Sequence, residues 1–413
     1  MRTGIVLTPG DAALERPLAF FGDLIGKAYA LNARTGELVW TFRTDDHPSA
    51  TVTATPALSG DTLYVAVSSL EVTPAADPAY ECCTFRGKVM AVDAATGSVR
   101  WVTHTIPEQP RITGRTSVGT NAWAPSGAPV WASPTIDVDA GVLYLGTGEN
   151  YSSPADANSD AIVALRLADG ERLWSWQATA GDAWNVACMM EDNPNCPEED
   201  GPDFDFGSSF LLIDVADRRL LIAGHKDGSV MAVDPTAPVQ GPVWRTQLGR
   251  GSIQGGVHFG MAAEGTTVYV PINDMNDTRN GDVLDPELAR PGVHAVDAST
   301  GGILWQHVQE DRCGGDRPFC DPGISAALTA APGVVFAGHL DGVVRAYAGG
   351  DGALLWEFDT VRSLDTVNGV EARGGSMSGA GPAVADGYLI VNSGYGLYFH
   401  EPGNALLVFA AGE

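Results

Sequence analysis

The chain has 413 residues, with 50 glycines, 26 prolines and a formal net charge of −27. A surface this acidic repels nucleic acid and anionic lipid, which excludes both as natural partners. No apolar run reaches the length of about 18 residues that a membrane-spanning helix needs. The glycine and proline content, without long amphipathic stretches, points to short strands and tight turns.

In chain order, the opening MRTGIVLTPGDAALERP lacks the features of a secretory signal. PLAFFGD then reads as a strand, and a phrase follows that recurs along the chain. It runs GKAYALNARTGELVW to Trp40, GKVMAVDAATGSVRW to Trp101 and DAIVALRLADGERLW to Trp174. It returns as GSVMAVDPTAPVQGPVW to Trp244, GVHAVDASTGGILW to Trp305 and GVVRAYAGGDGALLW to Trp356. A broken last copy is NALLVFAAGE. Copies stand about 50 to 75 residues apart, room for a four-stranded blade and a loop. Each phrase is a strand, a tight turn and a second strand ending near Trp. Another hairpin precedes each copy (GDTLYVAVSS, AGVLYLGTGE, RRLLIAGHK, GTTVYVPIND, PGVVFAGHL, DGYLIVNSG). Two hairpins make a blade, and the Trp is placed to wedge against the next blade, with Ala and Gly leaving room for its ring. The predicted fold is all-β: a β-propeller of four-stranded antiparallel blades, seven of them recognisable, as a single domain over residues 1–413. A solenoid is disfavoured, because its units are shorter and lack the periodic Trp.

The six cysteines fall in three close pairs, Cys82 with Cys83, Cys188 with Cys196 and Cys313 with Cys320. Even number and local pairing predict disulfides and an oxidising compartment, periplasmic or extracellular. The start of the chain points the other way, a conflict that a missing N-terminal segment would resolve. His47, His225, His258 and His339 show no ligand spacing and read as ordinary polar loop residues.

The phrases FGDLIGKAYALNARTG, VSSLE, YECCTFRG, GAPVWASPTID, TAGDAWNVAC, GPDFDFGSS and NGVEARGGS resemble the quinoprotein alcohol dehydrogenases, most closely the polyvinyl-alcohol dehydrogenase group. That resemblance implies a pyrroloquinoline quinone (PQQ) cofactor on the propeller axis, held with Ca²⁺. Trp131 matches the tryptophan that stacks under the quinone, a rigid plane suited to a planar tricycle. Thr53 and Ser68 match positions that hydrogen-bond the cofactor carboxylates. Glu71 matches the carboxylate ligand of calcium, and the family's calcium-binding asparagine falls on Glu149 or Asn150. Lys226 matches the basic residue that polarises the quinone oxygen. Cys82 and Cys83 match a vicinal disulfide set against the cofactor, and Arg2 a cofactor-contacting arginine.

The catalytic base transfers least well. Asn185 stands where the family has an aspartate, and a neutral amide cannot accept a proton. Asp182 is the nearest carboxylate; Asp203 and Asp205 are further candidates. The family's propellers carry one blade more than this sequence shows, and often a cytochrome c domain, whereas no CxxCH haem motif occurs here. The expected activity is oxidation of a secondary alcohol to a ketone, with electrons leaving to a separate cytochrome c. The competing expectation is a cofactor-free propeller acting as a binding or assembly scaffold. Against that stands the clustering of Glu71, Trp131, Glu149 and Lys226 at predicted strand ends.

Overall fold

A computed structural model describes residues 3–8, 16–275, 286–314 and 317–411. Arg2 lies outside the described residues. The fold is an all-β propeller of seven antiparallel blades with almost no helix. The chain divides into two compact units, Met1–Gly207 and Ser208–Glu413.

The first unit holds blades 1 to 3. Blade 1 runs in the order Val6–Leu7, Leu18–Gly22, Lys27–Asn32, Leu38–Arg43. Blade 2 departs from four strands. Its first strand is broken into Ala50–Thr51 and Ala57–Ser59, both paired with Thr62–Ser69, giving a 5-stranded sheet. Pro56, which has no N–H to give a ladder, stands in the break. A separate hairpin, Arg111–Arg115 with Asn121–Ala124, precedes blade 3 (Thr135–Asp137 to Arg172–Gln177).

The second unit holds blades 4 to 7, beginning at Leu211–Val215, Ala262–Glu264, Thr329–Ala331 and Ala383–Ala385. Among the described residues the last blade has 3 strands, in line with the broken last copy of the repeat.

The repeated phrase has a single physical meaning. In all of its copies the Trp pairs across the ladder with an alanine: Ala30 with Trp40, Ala91 with Trp101, Ala164 with Trp174, Ala232 with Trp244, Ala295 with Trp305 and Ala346 with Trp356. The register shifts immediately after that pair each time. The small partner leaves space for the indole, and the irregularity re-aims it. The indole then docks on the next blade. Trp40 Nε1 donates to Ala94 O at 2.9 Å, Trp101 to Leu167 O at 3.0 Å, Trp244 to Ala298 O at 2.9 Å and Trp305 to Gly349 O at 2.9 Å. The receiving turn needs glycine twice over. Gly301 has φ +72°, and a Cβ there would stand 2.6 Å from Trp244 Cε3.

In the central blades the third strands are buried almost throughout (Ser229–Val233, Ala161–Arg166), while fourth strands are more exposed, as in Ile303–Val308. In any antiparallel blade of this order, the second-to-third connection and the segment after the fourth strand leave from the same end of the sheet. Among the described residues, the predicted site residues of the first unit sit on connections or strand ends at that end of their own blades.

Candidate functional site

Trp131 lies in the segment between blades 2 and 3, half-buried. Its Nε1 donates to Asp205 Oδ2 at 2.7 Å, and the other oxygen of Asp205 accepts the backbone N–H of Glu149 at 3.1 Å. Gly207 packs against the ring so closely that a Cβ would fall 2.0 Å from Trp131 Cη2. Thr53 Oγ1 donates to the Trp131 carbonyl at 3.3 Å. The indole is thereby fixed from its backbone, its N–H and the edge of its six-membered ring.

Around this ring the structure gathers carboxylates. Glu149, Asp203 and Asp205 are all buried, and one oxygen from each lies within 4.8 Å of the others. Buried like charges at this separation require a cation, a proton or strong donors. Three hard oxygen donors with room for flexible geometry fit Ca²⁺. Asp160, fully buried, lies nearby in electrostatic terms, with Ser159 as its adjacent hydroxyl. Burial first, then the charges of Asp182, Asp205 and Asp203, push its pKa well above the usual carboxylate range. Nothing in the flanking SDAI phrase distinguishes Asp160 from an ordinary strand-start aspartate, so the sequence offered no signal for it.

Several predicted residues also make hydrogen bonds that hold the loops together. Asp182 is buried and accepts the backbone N–H of Asp203 at 3.2 Å and of Phe204 at 2.8 Å. It therefore holds the segment that carries Asp205 and is a positioning residue. Asn185 caps a short 3-10 helix by accepting the N–H of Ala187 at 2.9 Å, and its amide donates to Tyr151 O at 3.0 Å and Asn195 O at 2.8 Å. Its amide also approaches Cys82 Sγ at 3.8 Å. Asn150 donates to Ser126 O at 3.2 Å and accepts from Asp156 N at 2.7 Å, and Glu149 is the residue of the GTGEN phrase that joins the Asp203 and Asp205 group.

Glu71 is fully buried and contributes no atom to the Glu149 group. Its oxygens accept from Tyr80 Oη at 2.9 Å, Thr84 N at 2.9 and 3.1 Å and Phe85 N at 2.8 Å, and pair with His47 Nε2 at 3.2 Å. Those donors match the accepting capacity of two carboxylate oxygens. Burial alone would raise its pKa, but His47 and the Phe85 and Thr84 amides outweigh it and hold Glu71 below its ordinary value. Burial and the adjoining Glu71 charge in turn raise the Tyr80 phenol.

The paired cysteines form disulfides: Cys82–Cys83, Cys188–Cys196 and Cys313–Cys320. Cys82 and Cys83 are buried in the same apolar cluster as Phe85 and Tyr151. Ser68 is buried in blade 2, paired with Thr51. In the second unit, Lys226 is buried on the second-to-third connection of blade 4, where its carbonyl accepts Ser252 N at 3.3 Å. Its neighbours anchor it: His225 Nδ1 stands 3.0 Å from Asp227 Oδ1, and Asp227 also takes Ser229 Oγ at 2.6 Å and the Arg245 guanidinium.

The site is thus a buried carboxylate group set against a tryptophan on the loops of a propeller. The family description "Glucose/ethanol/alcohol dehydrogenase, beta-propeller domain" matches residues 44–195, and "Outer membrane protein assembly factor BamB" matches residues 226–378. A polyvinylalcohol dehydrogenase of Pseudomonas sp. is 37% identical over 394 residues, covering 95% of this chain and 60% of the relative. One from Sphingopyxis sp. is 34% identical over 391 residues, covering 93% and 59%. The crystal structure of the quinohemoprotein alcohol dehydrogenase from Comamonas testosteroni superposes with a TM-score of 0.62 at 20% identity, covering 98% of this chain and 66% of that one. The chain belongs to the PQQ-dependent alcohol dehydrogenase family. It spans about three fifths of the length of the polyvinylalcohol dehydrogenases it matches.

Proposed function

We propose that this chain, as a single propeller domain, is the cofactor-binding part of a PQQ- and Ca²⁺-dependent dehydrogenase that oxidises secondary alcohols of the polyvinyl alcohol type to ketones. The observation that carries this reading is the Trp131 ring bonded to Asp205 within the buried Glu149, Asp203 and Asp205 set. PQQ, when bound, supplies the two-electron acceptor that no side chain provides. Trp131 offers the stacking plane, and Thr53, Ser68 and the Cys82–Cys83 disulfide line the cofactor. Glu149 and Asp203 hold the cation. Asp205 is the base that takes the hydroxyl proton of the alcohol on a carboxylate oxygen. Its two hydrogen bonds, from Trp131 and the Glu149 amide, fix the orientation of that carboxylate. Asp182 positions it through the Asp203 and Phe204 amides. Lys226 supplies positive charge toward the quinone oxygens. Electrons leave to a separate, basic cytochrome c, steered by the acidic surface. The disulfides favour an exported location, in the periplasm.

The BamB-like match over residues 226–378 favours a second reading, a propeller that assembles other proteins without a cofactor. Titration with PQQ, with and without Ca²⁺, separates the two by tryptophan fluorescence. Calcium-dependent quenching that is lost in Trp131→Ala supports the enzyme, and the absence of binding at micromolar PQQ removes it. Titrating Tb³⁺ against Ca²⁺ reports on the carboxylate set independently of the quinone.

A further inference from the structure

The second unit displays aromatic rings whose exposure the blade architecture does not require. Phe319 lies between blades 5 and 6; Tyr395 and Phe399 lie between Tyr388–Ser393 and Ala405–Ala410 of blade 7. Both segments leave their blades from the end that, in blade 4, bears Lys226. Phe319 is 49% exposed, Phe399 46% and Tyr395 49%. The rings of Phe319 and Phe399 stand 6.2 Å apart between centroids.

The backbone holding them is strained. Phe319 has φ 64°, Tyr398 49° and Phe399 50°, in the left-handed region that bulky residues rarely enter. Each such residue costs about 1–2 kcal/mol. An unrestrained surface loop would relax and turn such rings inward. Here the restraint is explicit. The Cys313–Cys320 disulfide closes the first segment. Glu401, from the second segment and buried, pairs with Arg317 of the first and with Arg373 at 2.8 Å. Ser376 joins both: its Oγ accepts Glu401 N at 2.9 Å and approaches Phe319 O at 3.4 Å, and its N–H donates to Glu401 O at 2.9 Å. Rings held outward on a pre-strained, cross-linked support form a rigid binding face that loses little entropy when occupied.

We propose that Phe319, Phe399 and Tyr395 form a docking face for a neutral polyhydroxylated polymer chain, gripping a stretch of substrate other than the one being oxidised. This rests on the reading of the chain as an enzyme for polyvinyl-alcohol-like substrates. The nearest arginines, Arg317 and Arg373, share the single carboxylate of Glu401, so the positive charge beside the rings is partly compensated. An apolar carbon backbone packs on ring faces while its hydroxyls stay in water. One small alcohol gains little from such a surface; a long chain with repeated contacts gains by linkage.

The test uses cofactor-free protein run through native gels containing polyvinyl alcohol, with a polymer-free gel as reference. Wild type should be retarded, and Phe319→Ala/Phe399→Ala should run near its polymer-free mobility. Because both rings are exposed, the melting temperature should not change; Phe319→Tyr/Phe399→Tyr, which keeps the rings, should remain retarded. With the loaded enzyme, the double alanine variant should raise KM for the polymer about tenfold, with kcat/KM for a small secondary alcohol unchanged. Equal retardation of wild type and double alanine variant overturns the proposal, as does an unretarded wild type. So does a lower oligomeric state of the variant than of the wild type with retardation intact, because the face would then serve self-association. Selective retardation in a protein that fails to bind PQQ would support the docking face while removing the enzymatic reading.

Discussion

Gly207 is the most incisive place to perturb the proposed quinone platform without touching a polar group. An alanine Cβ there would stand 2.0 Å from Trp131 Cη2, 2.2 Å from Cζ2 and 2.8 Å from Cζ3. Ordinary carbon contacts begin near 3.5 Å, so the indole must shift by about 1.5 Å. Such a shift breaks the 2.7 Å bond from Trp131 Nε1 to Asp205. Losing a hydrogen bond to a charged acceptor is worth about 1.5–3 kcal/mol, and a misplaced aromatic stack about 0.5–1.5 kcal/mol. If about 2 kcal/mol of this is felt by the cofactor, the Kd for PQQ rises about 30-fold. The assay is fluorescence titration with PQQ at saturating Ca²⁺, with thermal melts to establish folding. Gly114→Ala serves as the control, because no atom lies within 4 Å of a Cβ at Gly114. A Gly207→Ala protein that melts normally and binds PQQ as tightly as wild type would refute the assignment of Trp131.

Asp205→Asn keeps the shape but removes the base; turnover with a dye acceptor should fall by about 10²–10⁴, with Tb³⁺ affinity at Glu149 and Asp203 largely retained. Glu71→Gln should lower the denaturation midpoint by the equivalent of about 3–5 kcal/mol, the cost of breaking a buried pair, while Tb³⁺ affinity at the Glu149 set stays unchanged. A Tb³⁺ affinity that collapses instead would return Glu71 to the ligand sphere. Gly301→Ala combines a left-handed φ of +72° with a clash against Trp244, and should destabilise by about 2–5 kcal/mol, measured in urea. His294 is fully buried, donates Nε2–H to Arg290 O at 2.8 Å and has its pKa pushed down to about 4 by burial. Its neutral form is therefore favoured in the fold; the associated stability is present above the unfolded pKa near 6.5 and is lost as pH falls towards 4. Between pH 7 and 5, wild type should lose about 2 kcal/mol that His294→Asn does not lose.

The blades were legible because their logic is local and repeated. The Trp, its alanine partner and the turn glycine recur within one hairpin or the next, so periodicity alone exposes them. Trp131 and the GPDFDFGSS carboxylates stood out in the sequence, and the structure brings Trp131 against Asp205. The division of labour among the remaining polar residues was not legible. Glu71, Asn150, Asp182 and Asn185 all fall at strand ends with ligand-like chemistry. The groups that occupy them come from other segments: Thr84 and Phe85 for Glu71, Ser126 and Asp156 for Asn150, Phe204 for Asp182, Asn195 for Asn185.

That division has a physical reason. Long connections buried at a strand end expose backbone N–H groups that no ladder satisfies, and each must find an acceptor. Carboxylates and amides accept several at once, so a site built from long loops consumes most of its own polar residues in holding itself together. Glu71 closes the segment bearing Cys82 and Cys83 by taking the Thr84 and Phe85 amides, and Asp182 closes the segment bearing Asp203 and Asp205 in the same way. What distinguishes a ligand from a support here is the donor count. Glu71 takes four donors on its two oxygens, whereas one oxygen each of Glu149, Asp203 and Asp205 lie within 4.8 Å of one another. Side chains so arranged repel until a cation or a proton joins them, and that requirement connects the loop packing of the first unit to its chemistry.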